Sequence, residues 1–131
     1  MTARILIIED HADFLEVLAY TLRAAGYTPL AAKTGKEGLE MAQREQPDLI
    51  LTDLMLPLLN GYEICSMLKQ DVRYQRIPIL MLSATKVQEK DERLATDCGA
   101  DGFLLKSVPS KELLAKIREL LDAKRPGEAV G

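Results

Sequence analysis

Residues 5–10 read Ile-Leu-Ile-Ile-Glu-Asp, four aliphatic residues followed directly by two carboxylates. A short apolar run of this kind is typical of a strand that is buried on both faces, as in a parallel sheet. Two further apolar runs, Leu-Ile-Leu-Thr and Phe-Leu-Leu, end at Asp53 and Lys106. In an open α/β sheet, ligands bind beyond the carboxyl ends of the strands. We therefore expect these four charged side chains to converge on one edge of a parallel sheet.

The composition predicts a soluble globular protein. Of the 131 residues, 47% are hydrophobic and 28% are charged, and no apolar run approaches the roughly 18 residues that would predict a membrane span. The net charge of −3, without a basic stripe, argues against direct nucleic-acid binding by this domain. The chain opens directly into a strand, which leaves no room for a signal peptide and predicts a cytoplasmic location. Two isolated cysteines, Cys65 and Cys98, fit a reducing compartment as small core residues.

Strand-sized apolar runs alternate with amphipathic segments along the whole chain. The runs lie at residues 5–8, 27–31, 49–52, 79–82 and 103–105. Between them, apolar residues recur at spacings of three, four and seven, which is typical of helices packed on a sheet. This alternation predicts an α/β fold built from βαβ units. We expect one domain over residues 1–124, with residues 125–131, which lack periodicity, as a tail or the start of a linker.

Local signals predict where the helices begin and end. Capping-box spacing, a short polar residue with Glu three positions later, occurs at Asp13 and at Thr34. Gly26 and Gly99 stand where helix-ending glycines belong. The fourth helical segment, residues 86–97, carries mainly charged residues. We expect this helix to be the least firmly attached to the sheet.

Five short motifs occur in a fixed order and together identify a family. They are Glu9-Asp10, Thr-Asp-Leu-Met-Leu-Pro at 52–57, Asn60-Gly61, Pro-Ile-Leu-Met-Leu-Ser-Ala at 78–84 and Gly-Ala-Asp-Gly-Phe-Leu-Leu-Lys at 99–106. In this order they resemble the CheY-like receiver domain of bacterial response regulators, over residues 4 to about 122. The resemblance implies a flavodoxin-like, doubly wound (βα)5 fold of three layers. Its five parallel strands would have the order 2-1-3-4-5, with the site between the first and third strands.

The resemblance also implies a phosphorylation chemistry. Asp53 would accept a phosphoryl group from a phosphohistidine on a sensor histidine kinase or phosphotransfer protein. Lys106 and Ser83 would each bind a phosphoryl oxygen, and Ser83 with Phe103 would form a switch. The surface made by the fourth predicted helix, the fifth strand and the fifth predicted helix would then be read by a downstream partner. Such a domain is not an enzyme beyond Mg²⁺-dependent self-phosphorylation and autodephosphorylation.

The acidic residues predict a metal site. Three carboxylates repel one another unless a cation lies among them, and ligands that are all oxygen suit Mg²⁺ better than zinc or iron. By the resemblance, Mg²⁺ would be held by Glu9, Asp10, Asp53 and the backbone carbonyl of Met55. His11, the only histidine, follows the acidic pair. We expect it to be an exposed loop residue without a direct role.

Three other functions can be weighed against the same residues. A haloacid-dehalogenase-like phosphatase would need an aspartate two positions after Asp53 as general acid, and Met55 occupies that position. A flavodoxin-like FMN carrier would bind phosphate after the first strand, where Glu9 and Asp10 would repel it. An unphosphorylated receiver-like interaction module is disfavoured by the intact acidic pair, Asp53, Ser83 and Lys106, and stays open as the alternative.

The chain departs from the family pattern after Lys106. The family lysine is followed by proline in a cis bond, whereas here Ser107 follows and Pro109 comes later. A cis bond before a residue other than proline costs about 2.5–4 kcal/mol. We nevertheless expect the Lys106–Ser107 bond to be cis, because the lysine must project back toward Asp53.

Overall fold

The strands and helices lie close to where the sequence pattern predicts them. The computed structural model describes residues 2–84, 93 and 97–130, without the side chains of residues 124–130. Its elements are β1 (Arg4–Ile8), α1 (Ala12–Ala24), β2 (Thr28–Ala32), α2 (Gly35–Glu45), β3 (Leu49–Asp53), α3 (Gly61–Lys69), β4 (Ile79–Ser83), β5 (Gly102–Leu105) and α4 (Ser110–Val130). The fourth predicted helix, residues 86–97, falls almost wholly outside the described residues, so α4 corresponds to the fifth predicted helix.

All five strands form one parallel sheet in the order β2-β1-β3-β4-β5, which confirms the predicted flavodoxin-like topology. The register aligns the carboxyl ends of β1 with β3 and of β4 with β5. Ile8 of β1 is paired with Thr52 of β3, and Ser83 of β4 is paired with Leu105 of β5. Glu9, Asp53 and Lys106 directly follow Ile8, Thr52 and Leu105, so these three charges meet at the carboxyl edge of the sheet.

Two apolar layers cover the faces of the sheet, because successive side chains of a strand point to opposite faces. Leu6 and Ile8 belong to the layer that also contains residues from α2 and α3. Ile5 and Ile7 belong to the layer that contains residues from α1 and α4. All four side chains are at most 1% exposed. Each fully buried aliphatic side chain stabilises the fold by about 1.5–3 kcal/mol, which explains why these runs are continuous rather than alternating.

The helix starts partly follow the capping signals. Thr34 caps α2 as predicted, because its hydroxyl accepts from a backbone N–H three residues later. The capping box predicted at Asp13 is wrong: α1 begins after His11, which leaves Asp13 inside the first turn. There the carboxylate favours the helix through the dipole rather than through a cap. α3 has a reciprocal capping box between Asn60 and Glu63, which have the same spacing.

The helix ends follow the prediction at two glycines and differ from it at the end of α4. Gly26 and Gly99 have φ of +92° and +94°, the left-handed conformation predicted for helix-ending glycines. Helix α4, by contrast, extends to Val130 through most of the segment expected to be aperiodic. It passes Pro126 and the glycine after it against their intrinsic helix preference. Neither α4 nor any other helix in the described part of the chain is long and apolar enough to cross a membrane.

Two glycines allow backbone segments to meet near the carboxyl edge. A Cβ atom on Gly35, at the start of α2, would lie 1.9 Å from the carbonyl oxygen of Leu59. A Cβ atom on Gly61, at the start of α3, would lie 2.5 Å from the carbonyl oxygen of Asp53. The loop between β3 and α3 therefore packs directly against two helix starts, which fixes its path beside Asp53.

Candidate functional site

Buried carboxylates at the ends of β1 and β3 form the centre of the site. Glu9 is 1% exposed and Asp53 is 5% exposed. The backbone N–H of Glu9 donates to the Ala32 carbonyl, which continues the ladder between β1 and β2 for one residue beyond the strand. The side chain of Asp10 is 30% exposed, so it lies toward solvent. Carboxylates as buried as those of Glu9 and Asp53 require a compensating positive charge when they are ionised.

Lys106 supplies that charge. Its Nζ donates to Asp53 Oδ2 over 2.8 Å and to Glu9 Oε1 over 2.5 Å. The lysine side chain is itself only 13% exposed. Its backbone N–H donates to the Ser83 carbonyl over 2.7 Å, so the end of β4 holds the residue that follows β5. One ammonium thus links the ends of β1, β3 and β5.

The protonation state of this lysine follows from two opposing effects. Burial by itself would lower the pKa of Lys106. The hydrogen bonds to Asp53 and Glu9 act in the opposite direction and outweigh burial, so the pKa lies above the ordinary value of 10.5. Lys106 is therefore an ammonium at neutral pH and a fixed positive charge at the site.

The expectation of a cis bond after Lys106 is wrong. The Lys106–Ser107 peptide is trans, and the lysine still reaches both carboxylates. The physical reason is that β5, tied to Ser83, already directs Lys106 toward the site. A turn in which Val108 N–H donates to the Leu105 carbonyl then carries the chain away. The cost of a cis bond before serine is avoided.

The oxygens of Glu9 and Asp53 that Lys106 does not contact accept hydrogen bonds from the backbone. Glu9 Oε2 accepts from the backbone N–H of His11 over 3.0 Å, and Asp53 Oδ1 accepts from the backbone N–H of Met55 over 3.0 Å. His11 Nδ1 lies 3.2 Å from Glu9 Oε2 and 3.3 Å from Asp10 Oδ1. Met55 thus contacts Asp53 through its N–H, and ligation by its carbonyl stays a prediction.

These neighbours form a cluster that fits a divalent cation. One ligand atom from each of Glu9, Asp10, His11 and Asp53 lies within 4.8 Å of every other. Three of the four donors are carboxylates, the hard oxygen ligands that divalent cations prefer. His11 is 74% exposed, as expected, but the structure places its ring at the cluster. Its position directly after Glu9-Asp10 was a sequence signal for this proximity.

Ser83 and Phe103 lie on neighbouring strands beside the site. Ser83 ends β4 and is 5% exposed. Phe103, on β5, is half-buried and packs against the core layer shared by α2 and α3. The register pairs Phe103 with Met81, two residues before Ser83. The two side chains therefore lie near each other in the sheet, and their switch role stays a prediction.

Phe14 on α1 is a site residue that the sequence did not indicate. Lys106 Nζ lies 4.9 Å from the centroid of the Phe14 ring, within range of a cation–π interaction. Next to this contact is a cavity of about 100 Å³, lined in part by Phe14, Thr21, Leu105 and Val108. No motif predicts the contact, because it depends on how α1 packs on the sheet.

Comparison with known proteins places this arrangement in a family. The sequence profile described as the response regulator receiver domain matches residues 5–118. The chain is 38% identical over 121 residues to the alkaline phosphatase synthesis transcriptional regulatory protein PhoP of Bacillus subtilis, covering 92% of this chain and 49% of that protein. It is 42% identical over 118 residues to the DNA-binding dual master transcriptional regulator RpaA of Synechocystis, covering 90% and 48%. The chain thus spans about half the length of these curated relatives.

Solved structures agree with the sequence relatives. The response regulator receiver domain protein (CheY-like) from Methanospirillum hungatei has a TM-score of 0.89 and 28% identity, covering 97% of this chain and 99% of that one. The signal receiver domain of a signal transduction histidine kinase from Syntrophus aciditrophicus has a TM-score of 0.86 and 30% identity, covering 93% and 92%. Fold, motifs and family profile agree, and the chain belongs to the response regulator receiver domain family of two-component signal transduction.

Proposed function

We propose that Asp53 accepts a phosphoryl group from a phosphohistidine on a sensor histidine kinase or phosphotransfer protein. The observation that supports this most is the buried Asp53 carboxylate with an ammonium 2.8 Å from Oδ2, at the carboxyl edge of a parallel sheet. A nucleophilic carboxylate needs a nearby positive charge to accept a group as anionic as a phosphoryl. Membership of the receiver family supports the same chemistry.

The transfer is a displacement at phosphorus. One carboxylate oxygen of Asp53 forms a bond to phosphorus while the bond between phosphorus and the donor imidazole nitrogen breaks. The imidazole leaves with the electron pair of that bond and takes up a proton from solvent. The product is an acyl phosphate on Asp53. Phosphoryl transfer asks a protein mainly for positioning and for stabilisation of charge on the equatorial oxygens.

Lys106 and Ser83 would stabilise the phosphoryl oxygens. The Lys106 ammonium already lies within hydrogen-bond distance of Asp53, so a phosphoryl group there would come within its reach. An ammonium acts on such a group as a point charge. Ser83, at the end of the adjacent strand, would donate its hydroxyl hydrogen to a second oxygen.

The donor set fits Mg²⁺, which would be held by Glu9, Asp10, Asp53 and the backbone carbonyl of Met55. When bound, Mg²⁺ supplies positive charge that offsets charge on the phosphoryl group. The chain's own part is to hold the carboxylates close together, which Lys106 does for two of them. Self-phosphorylation from small phosphodonors and autodephosphorylation would be its only catalytic activities, because residue 55 offers no general acid.

Phosphorylation would be transmitted through β5. Donation from Ser83 to a phosphoryl oxygen would favour one of two packings, with Phe103 moving into the space that the serine side chain leaves. The surface read by a partner would combine β5, α4 and residues 86–97. Residues 1–124 would act as a cytoplasmic receiver, with residues 125–131 leading toward an output domain or partner. We propose no direct nucleic-acid contact for the receiver, although the relatives' names describe DNA-binding or transcriptional regulators.

The test is phosphorylation by acetyl phosphate with Mg²⁺, followed by intact-mass measurement. The wild-type chain should gain one phosphoryl group, and Asp53→Asn should gain none. Asp13→Asn is a matched control, because it removes an exposed carboxylate in the first turn of α1, and it should be phosphorylated like wild type. An undiminished adduct in Asp53→Asn would overturn the assignment. A wild-type chain without any adduct would instead favour the unphosphorylated interaction module.

A further inference from the structure

His11 occupies the N-cap position of α1, yet its side chain makes no capping hydrogen bond. N-caps are normally Ser, Thr, Asp or Asn, whose short side chains accept from the first helical N–H groups. The imidazole instead approaches the carboxylates, with Nδ1 3.2 Å from Glu9 Oε2 and 3.3 Å from Asp10 Oδ1. The ring is therefore placed by the site rather than by the helix.

Lys106 and His11 contact different carboxylate oxygens. The ammonium holds Glu9 Oε1 and Asp53 Oδ2. The imidazole lies beside Glu9 Oε2, which Lys106 does not contact and which also accepts the His11 backbone N–H. A cation bound near His11 would consequently not need to displace the lysine. The cluster then offers nitrogen as well as oxygen to that cation.

The spacing suits coordination. At metal–ligand distances of about 2.0–2.2 Å, neighbouring ligand atoms lie about 3.0–3.5 Å apart. The distances from His11 Nδ1 to Glu9 Oε2 and to Asp10 Oδ1 fall in this range. Imidazole nitrogen favours Ni²⁺, Cu²⁺ and Zn²⁺, whereas an all-oxygen set favours Mg²⁺.

We propose that His11 Nδ1 is an additional metal ligand, which makes this receiver site selective for first-row transition ions over Mg²⁺ relative to its carboxylates alone. This rests on the proposed function, because the ion would share Glu9 and Asp10 with Mg²⁺. A transition ion bound here competes with Mg²⁺ for the residues proposed to support phosphoryl transfer. The identity of residue 11 thereby sets which divalent ion the site binds.

Calorimetric titration of the untagged chain with Mg²⁺, Mn²⁺, Ni²⁺ and Zn²⁺ tests this, with His11→Ala beside wild type. We expect His11→Ala to weaken Ni²⁺ and Zn²⁺ binding by about tenfold or more and Mg²⁺ binding by less than about twofold. The loss should be smaller for Mn²⁺ than for Ni²⁺, following the affinity order of nitrogen-containing sites. Asp13→Asn, which changes the same helical turn outside the cluster, should leave all four affinities unchanged. An equal effect of His11→Ala on Mg²⁺ and Ni²⁺ would overturn the proposal.

A direct readout is available because the chain has a single histidine. In a ¹⁵N-labelled sample, Zn²⁺ should shift the His11 Nδ1 resonance much further than Mg²⁺ does, because only Zn²⁺ would bond to the nitrogen, whereas Mg²⁺ would act on it through the neighbouring carboxylates. An unshifted Nδ1 at saturating Zn²⁺ would contradict ligation. If the chain binds Mg²⁺ and His11→Ala leaves its Ni²⁺ affinity unchanged, the result contradicts this inference and leaves the proposed function intact. Ni²⁺ binding that depends on His11, in a chain that does not bind Mg²⁺, would support the inference and count against the proposed function.

Discussion

Lys106 pairs with two carboxylates, Glu9 and Asp53, and the carboxyl ends of three separate strands bring these residues together. Glu9, Asp53 and Lys106 are all at least five-sixths buried, so their charges are poorly screened by water. Removing one partner from such a group leaves an uncompensated buried charge, which typically costs 3–5 kcal/mol. The lysine thus contributes to folding as well as to the proposed chemistry.

Replacing Lys106 with methionine should lower the free energy of unfolding by about 3 kcal/mol at neutral pH, because Glu9 and Asp53 would face each other without a cation. Urea denaturation measures the change. Lys116→Met is the matched control, since this half-buried lysine forms one 3.4 Å ion pair, with the mostly exposed Glu119. That variant should lose less than about 1 kcal/mol. Equal losses would contradict a special role of Lys106 in stability.

The raised pKa of Lys106 predicts a pH dependence at the alkaline end. A group whose pKa is higher in the folded state stabilises fully below its unfolded value, here 10.5, and loses that contribution as pH rises through the folded value. The free energy of unfolding of wild type should therefore fall above about pH 10.5 more steeply than that of Lys106→Met. The variant retains every tyrosine, so tyrosine ionisation is common to both. Parallel curves would show that Lys106 is not responsible.

Asp10→Asn should stabilise the metal-free chain. The cluster has three carboxylates against one ammonium, so removing one negative charge reduces repulsion. A gain of about 1 kcal/mol would raise Tm by roughly 4 °C for a domain of this size. The same change should abolish the increase of Tm with Mg²⁺. A variant that is still stabilised by Mg²⁺ like wild type would show that Asp10 is not a ligand.

At the scale of elements, the loop between β3 and α3 is fixed by contacts with helix starts. Gly35 of α2 has no room for a Cβ atom, because the Leu59 carbonyl occupies that position. Gly26 is different: the space around it is open, but its φ is +92°. The two glycines are therefore required for different reasons, one for close approach and one for conformation.

Gly35→Ala should destabilise the fold by about 2–3 kcal/mol, because the loop or the helix must move to admit the methyl group. Ordinarily, replacing a helical glycine with alanine stabilises by up to about 1 kcal/mol, so the sign of the change is diagnostic. Gly26→Ala should cost about 1 kcal/mol from backbone strain alone. Thermal unfolding of both variants decides. A stabilised Gly35→Ala would mean that the loop does not pack on α2.

Within the part of the chain that the structure describes, the sequence pattern was sufficient to predict the strands and helices and insufficient to predict the contacts between them. The apolar runs before Asp53 and Lys106 predict strands because burial on both faces demands continuous hydrophobicity. The start of α1 was misplaced because Asp13 satisfies the capping spacing equally well inside the first turn. The trans bond after Lys106, the ring of His11 and the contact of Phe14 depend on packing across the sheet. Local sequence does not encode such long-range geometry.

At the scale of the whole molecule, the sheet has two edges with different environments. β2 forms one edge, and β5, which leads directly to Lys106, forms the other among the described strands. All four residues of β5 are half-buried, whereas β3 and β4 are buried throughout. A strand with less burial opens at lower cost, so β5 is suited to respond to events at Asp53.

Amide hydrogen exchange with and without acetyl phosphate should therefore show changed protection in β5 (Gly102–Leu105), around Phe103 in particular. β2 (Thr28–Ala32) is the internal control, because it is the opposite edge strand and contributes no side chain to the site. Unchanged β5 amides in a chain whose mass shows full phosphorylation of Asp53 would contradict the proposed route of the signal.

The contact between Phe14 and Lys106 makes position 14 suitable for a fluorescent probe of the site. The chain contains no tryptophan, so Phe14→Trp would create its sole indole fluorophore. The cavity of about 100 Å³ beside the ring offers space for the larger side chain. Indole emission responds to a nearby ammonium, and any ion or phosphoryl group that draws Lys106 away from the ring would alter it. Stopped-flow fluorescence could then follow the occupancy of the site in real time.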